Sequence, residues 1–248
     1  MSERVVVVTG ASSGIGAALA ERGAAAGHAV MLVARDAARL REVAARCGPR
    51  ALVHVADVTS RLEVRRAVAA GVAHFGRIDV WVNNVGRGIT RPPSQLTDED
   101  VDLMMRVNVL SALYGMQEVL PHFRARGEGQ VINVSSMLAR VPHAVNRAAY
   151  SGAKHFLNAL TANFRGELAA EQPGITVSLV SPGLVYTEFG ANAHHGGPAS
   201  RSFPQGQDAE QVADVILRVM ETRETDVYTR PESHDRVVAY FDGIGRGS

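Results

Sequence analysis

Residues 5–8 are four consecutive valines, and no polar side chain interrupts the run before Thr9-Gly10. A strand buried on both faces reads this way, as strands of a parallel sheet do. An alanine-rich stretch over 14–26 follows with the composition of a helix, and Gly27 supplies its stop. The alternation then repeats along the chain. Further strands are predicted at 29–34, 51–56, 78–82, 130–134, 175–180 and 226–229, with helices at 36–46, 61–75 and 209–220. Two helices are longer. One opens at Thr97-Asp98-Glu99-Asp100, with Thr97 as N-cap and acids in the first turn. Its apolar stripe runs through Val101, Met104, Met105, Met116, Leu120 and Phe123, to about residue 124. The other covers 149–170, with a stripe at Ala153, Phe156, Leu157, Leu160, Phe164 and Leu168.

Strands alternating with helices predict an α/β fold with a doubly wound parallel sheet of Rossmann type. Its three layers form a single domain over 1–248, a length that can bury a large core. Ligands in such folds sit at the carboxyl ends of the strands. The unusual residues fall there: Thr9-Gly10, Arg35, Asp57, Asn83-Asn84, Ser135-Ser136 and Ser181-Pro182-Gly183 each close a predicted strand. The formal net charge is only +1, which gives no electrostatic case for nucleic acid or a membrane surface. No apolar stretch approaches the ~20 residues of a spanning helix. Cys47 is the single cysteine, so no intrachain disulfide can form. With Met1-Ser2-Glu3-Arg4 running straight into a strand, the expectation is a cytoplasmic protein.

Of the 26 basic side chains, Lys154 is the only lysine. It follows Tyr150 by one helical turn, in Tyr150-Ser151-Gly152-Ala153-Lys154, so phenol and ammonium share a face. Arginine does not replace lysine where a compact charge with rotatable donors is needed. A nearby positive charge favours the phenolate, which makes a tyrosine useful as an acid/base near neutral pH. Taken alone, the pair is also what chance places on a solvated helix.

Strand one leads into Thr9-Gly10-Ala11-Ser12-Ser13-Gly14-Ile15-Gly16. Glycines at 10, 14 and 16 permit a tight turn and close backbone approach, and the helix start offers free N–H groups to a pyrophosphate. After strand two comes Ala34-Arg35-Asp36, where a site for NAD usually carries an acid for the ribose hydroxyls. Arg35 suits a 2′-phosphate instead, so NADP(H) is favoured over NAD(H). The competing reading makes Arg35 a surface charge and Asp36 a helix cap. Asp57-Val58 is placed to meet an adenine edge, although Asp57 also suits a cap of the next helix.

With these pieces the chain resembles the short-chain dehydrogenase/reductase family in its single-domain form, over residues 4–230. The resemblance rests on TGASSGIG at 9–16, NNVG at 83–86, Asn108, Ser135-Ser136, YSGAK at 150–154 and SPGLVYT at 181–187. It implies an NAD(P)-dependent enzyme that interconverts an alcohol and a ketone or aldehyde. Tyr150 would be its general acid/base. Lys154 would lower the Tyr150 pKa and bind the nicotinamide ribose. Ser136 would hold the reacting oxygen, and Asn108 a water leading from Lys154. Asn83 and Gly86 would line the adenosine side, while Asn84 braces the sheet. Pro182-Gly183 would form the wall beside the nicotinamide, with Val185 and Thr187 near its carboxamide. Two departures stand out. Val85 replaces the usual alanine. Ser136 lies 14 residues before Tyr150, one more than the family's usual spacing, and Met137 takes the usual offset. An extra residue in the loop 138–147 accounts for this, with Ser135 as the fallback. Asn108 also admits a plainer role, bonded to neighbouring backbone.

Residues 186–207 are rich in glycine, histidine and serine and are expected to form a mobile substrate lid. His194-His195 have no carboxylate or cysteine companion in sequence, so no metal is expected. Leu138, Val141, His143 and Val145 are expected to border the pocket opposite the lid. The resemblance also implies a homodimer or homotetramer through the two long helices. Residues 241–248 are expected to fray. The competing classes are a non-catalytic dinucleotide-binding sensor or scaffold on the same fold, and an epimerase or dehydratase using the same Tyr/Lys pair.

Overall fold

The computed structural model describes residues 3–244; Met1-Ser2 and residues 245–248, parts of the two expectations about the termini, lie outside the described residues. Seven parallel strands form one sheet: β1 (Val5–Thr9), β2 (Ala29–Ala34), β3 (Ala51–Val55), β4 (Val80–Asn83), β5 (Gly129–Val134), β6 (Ile175–Ser181) and β7 (Asp226–Tyr228), in the order β3-β2-β1-β4-β5-β6-β7. The order reverses between β1 and β4, and that switch point opens a crevice at the carboxyl ends. The valine run suits β1 to an interior place in the sheet. All five of its residues are buried, paired with β2 on one side and β4 on the other.

Helices α1 (Gly14–Ala25), α2 (Ala37–Cys47) and α7 (Ala209–Thr222) pack against one face of the sheet, where Leu19, Leu40, Val212 and Ile216 are fully buried or nearly so. The other face is covered by α3 (Arg61–Phe75), α5 (Ser111–Arg126) and α6 (Ala148–Glu171), around Met31, Trp81, Phe123 and Leu168. Burying a side chain of this size contributes roughly 1.5–3 kcal/mol. A smaller cluster of Ile89, Met104, Val109, Tyr150 and Ala153 lies at the carboxyl end, directly beneath the crevice.

Two differences from the expected elements bear on function. The first long helix is not continuous. It consists of α4 (Asp98–Met105), a π-helical turn over Arg106–Leu110, and α5. A π turn carries an extra residue and loosens the backbone ladder, and it places Asn108 where the helix bends. The capping expectation at its start agrees with the structure: the Thr97 hydroxyl accepts from the Asp100 N–H at 3.3 Å, and the Asp100 carboxylate accepts from the Thr97 N–H at 3.2 Å. The second difference is α8 (Glu232–Gly243), which runs into the segment expected to fray. Its periodicity was hidden because most of the helix faces solvent. Among the described residues, no helix is long and apolar enough to cross a membrane.

Candidate active site

The strand-to-helix turn after β1 is built by steric exclusion. Gly10 adopts φ +67°, a conformation that a β-carbon disfavours. A Cβ on Gly16 would meet Asn84 Nδ2 at 2.7 Å and overlap the Gly10 carbonyl. The turn is held from below by Asn84, whose amide donates to Thr9 O at 3.0 Å and whose N–H donates to Thr9 Oγ1 at 3.0 Å. Ile15 packs into the core while Ser12 and Ser13 remain at the surface side. Ser13 makes no side-chain cap, so the first N–H groups of α1 stay open toward the crevice. These features fit a pyrophosphate: open N–H groups, a positive helix end and no side chain in the way. A Gly16→Ala change is expected to push the turn out of place. Dinucleotide affinity should fall more than tenfold and the melting temperature should drop, since overpacking costs roughly 1–3 kcal/mol. Fluorescence titration with NADPH and a thermal melt would read both.

Arg35 projects into solvent at the tip of β2 with no ion-pair partner among the described residues. Asp36 is occupied as a cap and accepts from the Ala38 and Arg39 N–H groups at 3.0 Å. At the end of β3, Asp57 is likewise tied up in a turn, accepting from Thr59 N at 2.9 Å and Thr59 Oγ1 at 2.8 Å. Val58 is buried beside it. The two asparagines at 83–84 face different ways. Asn83 accepts from Trp81 Nε1 at 2.8 Å and donates to Ala112 O and Asn133 Oδ1, so its side chain points into the layer below the sheet. Alternation along a strand puts neighbours on opposite faces, and Asn84 is the one aimed at the glycine turn.

The reacting end is crowded and dry. Tyr150 is 6% exposed and Lys154 2% exposed on the same face of α6. Lys154 Nζ donates to the Val134 carbonyl at the tip of β5, at 2.9 Å. Gly86 lies above it: a Cβ there would stand 3.6 Å from Lys154 Nζ and 3.1 Å from Asn108 Oδ1. Asn108 is fully buried, and its side chain grips the loop after β4, donating to Arg87 O and Met104 O and accepting from Arg87 N, each at 3.0 Å. Two of these bonds clamp the loop after β4, and the third returns to the helix one turn earlier. Two serines close β5. Ser135 donates to Asn158 Oδ1 at 2.5 Å and faces α6. Ser136 accepts from Leu138 N at 3.1 Å, and its hydroxyl favours ionisation of the Tyr150 phenol. Pro182, buried at the end of β6, receives the Met137 N–H at 2.8 Å. Beyond it, Gly183, Val185 and Thr187 lead into the lid, and a Cβ on Gly14 would come 3.1 Å from Thr187 Cγ2.

The electrostatics differ from the sequence expectation. Burial pushes the Tyr150 phenol up to about 12, against the downward pull of Ser136 and of the charge on Arg147. Burial likewise pushes Lys154 down to about 8. Desolvation governs both groups, and the cation acting on Tyr150 is Arg147. Arg147 is the N-cap of α6, one turn before Tyr150. Its i, i+3 spacing was available in the sequence, but only if the helix began at that residue.

The segment 186–207 is fastened to the rest of the fold. Phe189 meets the Tyr150 ring edge-on at 5.5 Å between centroids, and Glu188 pairs with Arg39 at 2.9 Å. His194 joins Ile89 in a parallel bridge. The two histidines also have a carboxylate companion after all. Asp100 Oδ1 lies 3.3 Å from His194 Nε2 and 2.7 Å from His195 Nε2. Arg91 Nη1 also meets that carboxylate, at 3.0 Å. Burial alone would raise the Asp100 carboxyl; bonds from His195 and the Thr97 N–H, with the Arg91 charge, hold it at about 2. Of the expected pocket border, Leu138 packs with the cluster around Tyr150, whereas His143 is exposed and Val145 is 70% exposed.

The comparisons with known proteins agree with this geometry. The family described as short chain dehydrogenase matches residues 4–196. An uncharacterized oxidoreductase of Staphylococcus epidermidis is 33% identical over 217 residues, covering 88% of this chain and 90% of its own. Among solved structures, an alcohol dehydrogenase from the archaeon Thermococcus sibiricus, complexed with 5-hydroxy-NADP, superposes with a TM-score of 0.80 at 25% identity, over 92% of this chain and 96% of that one. A 3-ketoacyl-(acyl-carrier-protein) reductase from Brucella melitensis, complexed with NADH, gives a TM-score of 0.81 at 27% identity, over 91% and 96%. The family match over most of the chain and the full-length relative, on a seven-stranded parallel sheet with a glycine turn at its switch point, assign this chain to the short-chain dehydrogenase family of oxidoreductases.

Proposed function

We propose that the chain is an NADP(H)-dependent oxidoreductase interconverting an alcohol and a ketone or aldehyde, with Tyr150 as general acid and base. The observation that carries this reading is the convergence on one buried phenol: Ser136 and the Arg147 charge both favour its ionised form, and Lys154 is buried one turn further on. When bound, the nicotinamide supplies or accepts the hydride. The protein's part is to meet the charge that develops on the substrate oxygen and to move one proton. Ser136 orients that oxygen. Tyr150 gives it a proton in reduction and takes one in oxidation. With its pKa raised by burial, the phenol stays protonated at neutral pH, which suits reduction; oxidation needs the phenolate and should therefore rise with pH.

For the cofactor we assign the backbone of Gly10, Ser12, Ser13, Gly14, Ile15 and Gly16 to the pyrophosphate and Arg35 to the 2′-phosphate. Asp57 and Val58 flank the adenine, with Gly86 and the Asn83 backbone on the adenosine side. Tyr150 and Lys154 are placed for the nicotinamide ribose, and Pro182, Gly183, Val185 and Thr187 for the nicotinamide itself. Asn108 serves by fixing the loop that carries Gly86 over Lys154. Exposed apolar residues on the two long helices, Val101 and Phe156, support assembly as a homodimer or homotetramer. The lone half-buried Cys47 suits a cytoplasmic protein.

The test is a panel of carbonyls and alcohols followed by nicotinamide absorbance with both cofactors. No turnover with any member, alongside tight dinucleotide binding, would return the sensor reading to first place. Cofactor choice has its own experiment. Arg35→Ala should weaken NADPH binding about tenfold or more, the worth of a charge-assisted phosphate contact at about 1.5–3 kcal/mol, and leave NADH nearly unaffected. Tighter NADH than NADPH binding by the unmodified protein would overturn the assignment.

A further inference from the structure

Arg147 is the least explained charge in the molecule. Its Nη1 is buried and has no hydrogen-bond partner among the described residues. No carboxylate pairs with it among the described residues, whereas Arg91 has Asp100 and Arg39 has Glu188. Arg147 as a whole is half-buried, yet its Nη1 is withdrawn from water with no acid to compensate it, and burial already weakens its hold on its proton. Such a group in a folded protein calls for a partner that arrives later.

Its surroundings say where that partner would sit. The guanidinium lies between the loop after β4 and the lid, beside Tyr150. A Cβ on Gly88 would overlap Arg147 Nη1 and come 3.0 Å from Phe189 Cε1. A Cβ on Gly197 would stand 3.3 Å from Arg147 Nη2 and 3.0 Å from Thr90 Oγ1. Thr90 Oγ1 is itself buried without a hydrogen-bond partner among the described residues. Arg147 Nη2 and the unused Thr90 hydroxyl therefore both lie against Gly197 of the lid, while the unused Nη1 lies against Gly88. Arg87, on the same loop, is exposed and also has no ion pair among the described residues, so the approach carries positive charge.

We infer that Arg147, with Thr90, binds a carboxylate on the substrate, so that the enzyme acts on oxo acids and their hydroxy counterparts rather than on neutral carbonyls. A planar guanidinium matches a carboxylate with two parallel bonds, and the Thr90 hydroxyl adds a third. Arg147 and Tyr150 lie one helical turn apart, about 5–6 Å between β-carbons. The Arg147 charge acts on the Tyr150 phenol, so a short oxo acid is the class that would meet both groups. This rests on the proposed oxidoreductase reading, and the experiment separates the two.

The kinetic arm compares 2-oxobutanoate and 4-oxopentanoate with their methyl esters, on the NADPH-loaded enzyme. The unmodified protein should prefer at least one acid over its ester in kcat/KM. In Arg147→Gln that preference ratio should fall at least tenfold, mainly through KM, with Arg147→Lys in between and Thr90→Val showing a smaller loss. A ratio unchanged by Arg147→Gln, or no preference in the unmodified protein, overturns the inference while leaving the oxidoreductase reading intact. Equal loss on acid and ester also overturns it, because that is the signature of an arginine acting only through Tyr150. The binding arm uses succinate, which cannot be reduced, and reads the fluorescence of bound NADPH. Saturable binding weakened tenfold in Arg147→Gln supports the site even if no carbonyl is turned over, an outcome that would sink the oxidoreductase reading alone. Absence of succinate and oxo-acid binding in the unmodified protein sinks the site. Should Arg147→Gln melt early, Thr90→Val and Arg147→Lys carry the same comparison.

Discussion

Tyr150→Phe is expected to abolish turnover almost completely while the melting temperature changes little. The substitution removes one oxygen from a ring whose other contacts, with Phe189 and the cluster around Ile89 and Met104, are apolar and stay in place. Without that oxygen no group is positioned to exchange a proton with the substrate. A general acid contributes typically 10²–10⁴-fold, so the residual rate should be near the limit of detection. Lys154→Arg is the companion experiment. The ammonium fits a slot that is 2% exposed, roofed by Gly86 and floored by the Val134 carbonyl. Arginine keeps the charge but brings a wider planar head, and most activity should be lost. The pH behaviour gives a second readout. A pKa raised to about 12 means that the Tyr150 phenol stays neutral well past the ordinary value near 10. Spectrophotometric titration should lose a late tyrosine in Tyr150→Phe, while Tyr228, also raised by burial, remains. The oxidation rate should climb with pH through a limb that this variant lacks. Full activity and an unaltered pH profile in Lys154→Arg would show that the pair is not the engine of the reaction.

Ser136→Ala should cost turnover about 10²-fold or more, the loss seen when one oriented donor to a developing charge is removed, with dinucleotide affinity nearly unchanged. Ser135→Ala should have the opposite profile. Its hydroxyl is already spent on Asn158, whose amide in turn donates to Ala139 O at 3.1 Å. Removing it leaves a buried acceptor unpaired, which costs about 1–3 kcal/mol of stability, while kcat should fall only mildly. Measuring kcat and the thermal midpoint of both variants decides between them. The reverse ranking would move the catalytic assignment to Ser135 and the extra loop residue to another place.

Much of the scaffold that holds this site is written locally. The valine run, the Gly27 stop and the Thr97–Asp100 cap act through neighbours in sequence, so the strands, most helices and the winding of the sheet were legible before any coordinates. The same holds for the glycine turn, where the positive φ at Gly10 is a property of one residue, and for Tyr150 and Lys154, whose common face follows from helical spacing. Three matters were not legible. The roles of Asn83 and Asn84 depend on which face of β4 each side chain takes, and a strand buried on both faces carries no alternation to reveal it. The carboxylate beside His194-His195 comes from Asp100, 95 residues before His195, and only the lid's path brings them together. The direction of the Tyr150 and Lys154 shifts is the last. A helix wheel shows that an ammonium stands near a phenol, but how far water is excluded from both depends on α6, the end of β5, the π-helical turn and the lid at once. Charge proximity is a pairwise quantity that spacing predicts, whereas desolvation sums over every layer packed around the site, and only the tertiary structure performs that sum.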